Sequence, residues 1–283
     1  MSRSLQALLD SLAKSPGLAL LAVIADSAVA DTPPGNDTLM AMRTLVSEGA
    51  LNQLDFRQAW PLLERGLMGS RPSRLLSGLD SCGALPHLLP EVAALSGSYQ
   101  MGADGEPVDI AAHLSRLLDL AATQNASLRV RVAALLCNLG KVDSPPQHLP
   151  THYLHIDRCL PRIRSIALRF GLPQPIESFA ILATQEMERV HRATRMRADA
   201  LTALLERVDA FAEPERFNDL LTLCTCDWGA YPGQETSTYP KAALLRQAMA
   251  ACQAVDATMD NGSQNHESRS LAVAAALHSC RQP

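Results

Sequence analysis

The chain has 283 residues, 47% of them hydrophobic and 19% charged, enough for a large buried core in one or two domains. A formal charge of −4 excludes a generally basic, phosphate-wrapping surface and leaves only a local patch for a nucleic-acid partner. The 7 cysteines are odd in number, scattered and without a secretory leader ahead of them, so they read as reduced thiols of a cytoplasmic protein; no apolar run is long enough to call for a membrane partner.

In chain order, the apolar positions recur at helical spacing. Leu5, Leu8, Leu9 and Leu12 make a stripe over residues 4–13. Ser15-Pro16 reads as an N-cap followed by proline in the first turn of a helix to about residue 30. Pro33-Pro34-Gly35 breaks the chain. A helix over 37–48 then carries Leu39, Met42, Leu45 and Val46 on one face, and Gly49 stops it. Asp55 caps a helix through residue 67, with Ala59, Leu62, Leu63 and Leu67 inward and Pro61 in its early turns. Another follows Pro72, and Cys82-Gly83-Ala84-Leu85 with Pro86 and Pro90 marks a compact turn. Residues 97–107 read as a polar, glycine-rich loop. Asp109 caps the helix of His113, Leu117, Leu118 and Ala121, residues 128–139 form a central apolar helix, and 142–150 a proline-rich loop. Further helices are expected over about 155–170, 174–192, 197–212, 214–226 and 240–256. A polar tract at 260–268 precedes an apolar run, 271–277, that reads as a docking helix. No period-two pattern of useful length occurs, so the expected fold class is all-α.

Several clusters carry candidate chemistry. His148, His152 and His155 follow the proline loop at uneven spacing; such a cluster binds metal or phosphate in some proteins and is merely solvated in others, and His155 is its strongest candidate. Cys224 and Cys226 would point their sulfurs about 200° apart on a helix, which reads as two core thiols rather than a zinc site. Glu186 and Glu188, two apart, do not share a helix face and so make a poor acid/base pair. Trp228 and Tyr231 beside Asp227 fit a pocket mouth and simple packing equally well. Arg189, His191, Arg192, Arg195 and Arg197 form the strongest local positive run, and Arg71, Arg74, Arg158, Arg162, Arg164 and Arg169 add further basic positions.

Ala133-Ala134-Leu135-Leu136-Cys137-Asn138-Leu139-Gly140-Lys141 closes the central helix on a glycine stop. It resembles the metal-binding signature of HD-domain phosphohydrolases, an alanine- and leucine-rich helix ending in His-Asp-x-Gly-Lys. Cys137 and Asn138 stand where the His-Asp pair belongs. Over about residues 14–255 the chain also resembles the bacterial CCA-adding tRNA nucleotidyltransferases that carry an HD domain after the polymerase head. The resemblance runs through Thr38-Leu39-Met40, Arg71-Pro72-Ser73-Arg74 and Asp80-Ser81-Cys82-Gly83-Ala84-Leu85 with Leu89-Pro90-Glu91. It continues in Val130-Arg131-Val132-Ala133, Val208-Asp209-Ala210-Phe211, Pro214-Glu215-Arg216-Phe217 and Tyr239-Pro240.

That resemblance implies a multi-helical fold like the C-terminal part of those enzymes: a neck-like region over 1–100, a degenerate HD-like domain continuing into body and tail over 101–257, and a polar tail over 258–283 with a docking helix. The nucleotidyltransferase head is expected to be missing, since the chain has no Gly-Gly pair and only about thirty residues before the neck. The family's Glu-Asp-x-x-Arg motif falls on Lys14-Ser15-Pro16-Gly17-Leu18, where Ser15 and Leu18 supply neither the carboxylate nor the guanidinium. The family's metal-site positions fall on His113, Cys137, Asn138, His155, Met187, Glu188 and Asp227, the candidate pocket. Asn138 offers a neutral carbonyl and Met187 a thioether, so no cofactor is expected; His113, Cys137, His155 and Asp227 remain as a weak metal set. The expected function is therefore a head-less, non-CCA-adding module that binds tRNA or another RNA, through Arg189, Arg192, Arg195, Arg197, Arg71 and Arg74, or binds a protein partner. The other reading is an enzyme that reuses the HD cavity for a small molecule or nucleotide, including a phosphohydrolase.

Overall fold

The computed structural model of the chain describes residues 15–149, 151–257 and 266–279. The expected helix over 4–13, Lys14, Pro150, most of the polar tract and Cys280 lie outside them. The Ser15 hydroxyl accepts from the Leu18 N–H at 3.4 Å and opens α1 (Pro16–Ala30), whose Leu20, Leu21, Ile24 and Ala28 are buried. α2 (Asn36–Ser47) ends before Gly49, which turns the chain at φ 86°. Asp55 accepts from Arg57 N–H and starts α3 (Phe56–Leu67), which carries Pro61 inside it and packs with α4 (Ser73–Ser81) on α1. Two short helices, α5 (Leu85–Leu88) and α6 (Pro90–Ala93), make the compact turn.

The expected loop over 97–107 is instead mostly an antiparallel hairpin, β1 (Tyr99–Met101) against β2 (Pro107–Asp109), with Gln100 opposite Val108. Three-residue strands offer one inward side chain each, too little alternation to register as a period. Asp109 then caps α7 (Ile110–Thr123) by accepting from Ala112 N–H at 2.8 Å.

α8 (Leu128–Leu136) is buried from Val130 onward and lies against α7 and against the helices over Gln174–His191 and Pro214–Gly229. It is shorter than the expected 128–139 helix, because the chain tightens into a 3-10 turn at Leu139–Lys141. Its Arg131 is buried and donates to the Leu67, Gly69 and Ala126 carbonyls, which ties the C-terminal end of α3 to the centre of the molecule. α9 (His155–Phe170), α10 (Gln174–His191), α11 (Ala198–Arg207), α12 (Pro214–Gly229), α13 (Pro240–Asp256) and α14 (His266–Ser279) complete the chain. α11 stops at Arg207, short of residue 212, because Asp209 turns left-handed at φ 57°.

The fold is all-α apart from the hairpin, with fourteen α-helices among the described residues. One connected apolar core runs from Leu20 to Val273. The apolar run near the C-terminus docks: α14 packs on α11 and α13, with Val273 buried and Arg269 paired to Asp256 at 2.8 Å and Glu206 at 3.1 Å. Among the described residues, no helix is long and apolar enough to cross a membrane. Cys224 and Cys226 are both buried free thiols.

Candidate functional site

Four elements close on the end of α8. α7 brings His113 from its first turns, the 3-10 turn brings Asn138 and Lys141, the start of α9 brings His155, and α12 brings Asp227. α10 passes alongside with Thr184, Met187, Glu188 and His191, spaced three, four and seven apart and therefore on one face. Together Cys137, Asn138, Lys141, His155, Thr184, Met187, Glu188, His191, Asp227 and Tyr231 line a cavity of about 170 Å³. His155 and Glu188 also line a wider outer cleft of about 670 Å³ that carries Tyr153, Glu186, Arg189, Arg192 and Arg207. The His155–Glu188 pair, 3.6 Å apart, thus stands between the two spaces.

Asp227 is the electrostatic centre. It is 7% exposed, with Oδ1 2.9 Å from His113 Nε2 and Oδ2 3.1 Å from His191 Nε2. Burial works to raise its pKa, but the His113 hydrogen bond and the His191 contact outweigh it and hold the carboxyl well below the usual range. An ionised carboxylate only accepts, so His113 turns its Nε2–H toward it, while His191 Nε2 stands at ion-pair distance outside hydrogen-bond geometry. His191 Nδ1 in turn shares a hydrogen bond with the Tyr239 hydroxyl, 2.8 Å away, which extends the contacts into a Tyr239–His191–Asp227 chain. His113 is fully buried against the Tyr231 ring, 4.4 Å between centroids, and its Nδ1 has no partner among the described residues.

Three other lining groups are shifted toward their neutral forms. Burial, then the Asp227 charge, pushes the Cys137 thiol and the Tyr231 phenol up, and burial, then Lys141, pushes His155 down. These features do not fit the metal that the HD resemblance implies. Cys137 is a thiol rather than a thiolate, Asn138 and Met187 are neutral, and both histidine Nε2 atoms face Asp227 rather than a common point. Among the described residues, no three His, Cys, Asp or Glu side chains group as a ligand set.

Six of the seven candidate pocket residues line the cavity, and His113 stands behind Asp227. His191, Lys141 and Thr184 join them, with Tyr239 behind His191, without having been singled out as pocket residues in the sequence; His191 counted there only as part of a basic run. Its place four residues after Met187 is the signal that finds it. Tyr231 lines the cavity, whereas Trp228 donates to Ser237 Oγ and packs under Lys241. The histidine cluster does not converge: His152 is pinned between Ser144 and the Tyr99 carbonyl, and His148 packs on Tyr153. Glu186 and Glu188 point apart, Glu186 to Arg189 and Arg207, Glu188 to His155 and Arg192.

The basic positions are largely paired as well. Arg71 lies 3.2 Å from Asp119, Arg74 holds Asp31, Arg189 lies 3.2 Å from Glu186, and Arg192 lies 3.4 Å from Glu188. Among the described residues, Arg195 and Arg197 are exposed without a carboxylate in ion-pair reach.

The chain is 38% identical over 221 residues to the Multifunctional CCA protein of Nitrosospira multiformis, an overlap of 78% of this chain and 54% of that protein. It is 39% identical over 221 residues to the protein of the same name from Burkholderia pseudomallei, with the same shares of each. For Paraburkholderia phymatum the figure is 36% over 259 residues, 88% of this chain and 62% of the relative. The chain spans about half the length of the curated relatives it matches. No protein-family model matches it. On this likeness, and with an all-α fold in agreement, the chain is a homologue of the Multifunctional CCA proteins over most of its own length.

Proposed function

We propose that this helical region is an RNA-binding unit, with tRNA as its partner, and that it has no hydrolytic chemistry of its own. The RNA partner rests on the likeness to CCA proteins. One observation carries the loss of chemistry: Asp227 has both oxygens engaged by His113 and His191, while Cys137, Asn138 and Met187 supply no metal ligand beside it. Two-part testing follows from this. Fluorescently labelled tRNA should bind at low salt and release as salt rises; absence of binding at low salt overturns the RNA role. Incubation with 2′,3′-cyclic nucleotides and added divalent metal should give no turnover, and metal-dependent hydrolysis overturns the loss of chemistry.

A second reading, a small molecule held in the reused cavity, is favoured by one feature. Met187 stands in the wall of the cavity rather than filling it, and about 170 Å³ remains. Native mass spectrometry of the purified protein tests it: a retained small molecule supports it.

A further inference from the structure

The inner cavity carries a chemical signature that its size sharpens. Its volume of about 170 Å³ is close to the roughly 150 Å³ of an engineered apolar cavity that holds one benzene ring. A single six-membered ring fits; a fused pair of rings with a sugar does not. Asn138 lines this space, is 5% exposed, and its Nδ2 has no acceptor among the described residues. A buried amide donor left unpaired is costly, so the cavity favours an occupant with an acceptor on its edge.

Charge narrows the class further. The two Asp227 oxygens are covered by His113 and His191, and Lys141 Nζ is committed to Gln100 Oε1 at 2.5 Å. Glu188 sits at the mouth between His155 and Arg192. The Lys141 ammonium, bonded only to a neutral amide, keeps its charge and offsets the Asp227 carboxylate, so the lining offers no net charge to either an anion or a cation. The Met187 thioether and the Tyr231 ring add polarizable walls of the kind that accept a flat aromatic face.

We infer that the cavity binds one neutral, single-ring heteroaromatic molecule of the pyrimidine-base type, with its ring acceptor on Asn138 Nδ2 and its face against Met187 and Tyr231. This rests on the second reading above, and names the ligand class for it.

The test titrates the purified full chain with cytosine, uracil, benzene and inorganic phosphate, followed by calorimetry and ligand-observed NMR. The pyrimidine bases should bind, and Asn138→Leu should weaken them by about tenfold, the worth of one hydrogen bond in affinity. Met187→Phe, which fills the space from α10, should abolish binding. These variants lie on different elements, and circular dichroism checks each fold, so failure of one to fold leaves the other decisive. Pyrimidine affinity unchanged in Asn138→Leu, or equal binding of benzene, overturns the inference. Binding of phosphate alone overturns the ligand class and leaves the reused cavity standing. No binding by any of the four probes overturns both.

Discussion

At the scale of single residues, Asp227 decides what the cavity can do. A carboxylate buried to 7% exposure survives as an ion only where donors surround it, and His113 and His191 supply them. Replacing it by asparagine puts an amide N–H2 among imidazole N–H groups, and Asp227→Asn should cost about 3 kcal/mol in urea unfolding near neutral pH. The pH dependence has a definite sign. The folded carboxyl titrates well below its ordinary value of 3.8, so its stabilisation is complete above that pH and is lost as pH falls below it toward the folded value. The gap between native protein and variant should therefore narrow on going from about pH 7 to about pH 3. A gap that stays constant would mean that the histidines do not hold the charge. His113 and Asp227 entered the candidate pocket through the resemblance to the HD-domain family. His191 was within reach of the helical spacing from Met187, but Tyr239 was not, because its contact with His191 joins α10 to the residue before α13, and nothing local announces it.

At the scale of elements, the approach of α9 to the end of α8 sets the geometry of the site. A Cβ on Gly140 would run into the His155 carbonyl oxygen and stand 2.7 Å from Cys159 N, both on the first turns of α9. That closeness places His155 beside Cys137, Asn138 and Lys141. Gly140→Ala must push α9 away, and should cost about 3 kcal/mol with loss of ligand binding in the cavity, read by thermal and urea unfolding. The glycine was legible as a helix stop, but its actual duty, letting a second backbone pass, was not.

The hairpin is joined to the same region by His152, whose Nε2 lies 2.8 Å from the Tyr99 carbonyl and whose Nδ1 lies 2.8 Å from Ser144 Oγ. Burial holds its pKa below the usual 6.5, so its contribution is full above that pH and is lost as pH drops. His155, shifted the same way, adds to the same loss. The Tm of the native protein should fall between about pH 7 and about pH 5, and His152→Gln should fall less steeply over that range. Equal slopes would refute the assignment. Helix starts at Ser15, Asp55 and Asp109 could be read from the sequence because a cap is a local event, whereas the hairpin needed its partner strand.

At the scale of the whole molecule, the question is how much positive charge is free to meet an RNA. Counting arginines along the chain makes the stretch from Arg189 to Arg197 look like a phosphate-binding strip, yet folding sets carboxylates from distant segments against other arginines. Arg207 and Arg189 share Glu186, Arg169 grips Glu91 through two bonds of 2.9 and 2.8 Å, and Arg71 meets Asp119. Apart from Arg189–Glu186, an i,i+3 pair on α10, no reading of local composition shows those pairings. The outer cleft is balanced as a result, Arg189, Arg192 and Arg207 against Asp157, Glu186 and Glu188. If RNA meets this face through the unpaired Arg195 and Arg197, binding releases few counterions. With roughly 0.7 to 0.9 of a log unit per phosphate contact, the logarithm of the affinity should fall with the logarithm of salt concentration at a slope of only about −1.6. Arg195→Ala with Arg197→Ala should then flatten the slope toward zero, while Arg71→Ala with Arg74→Ala, which removes residues already paired to Asp31 and Asp119, should leave it nearly unchanged. A slope several times steeper would require the paired arginines to release their carboxylates on binding, and the double Arg71→Ala, Arg74→Ala variant would then reduce it.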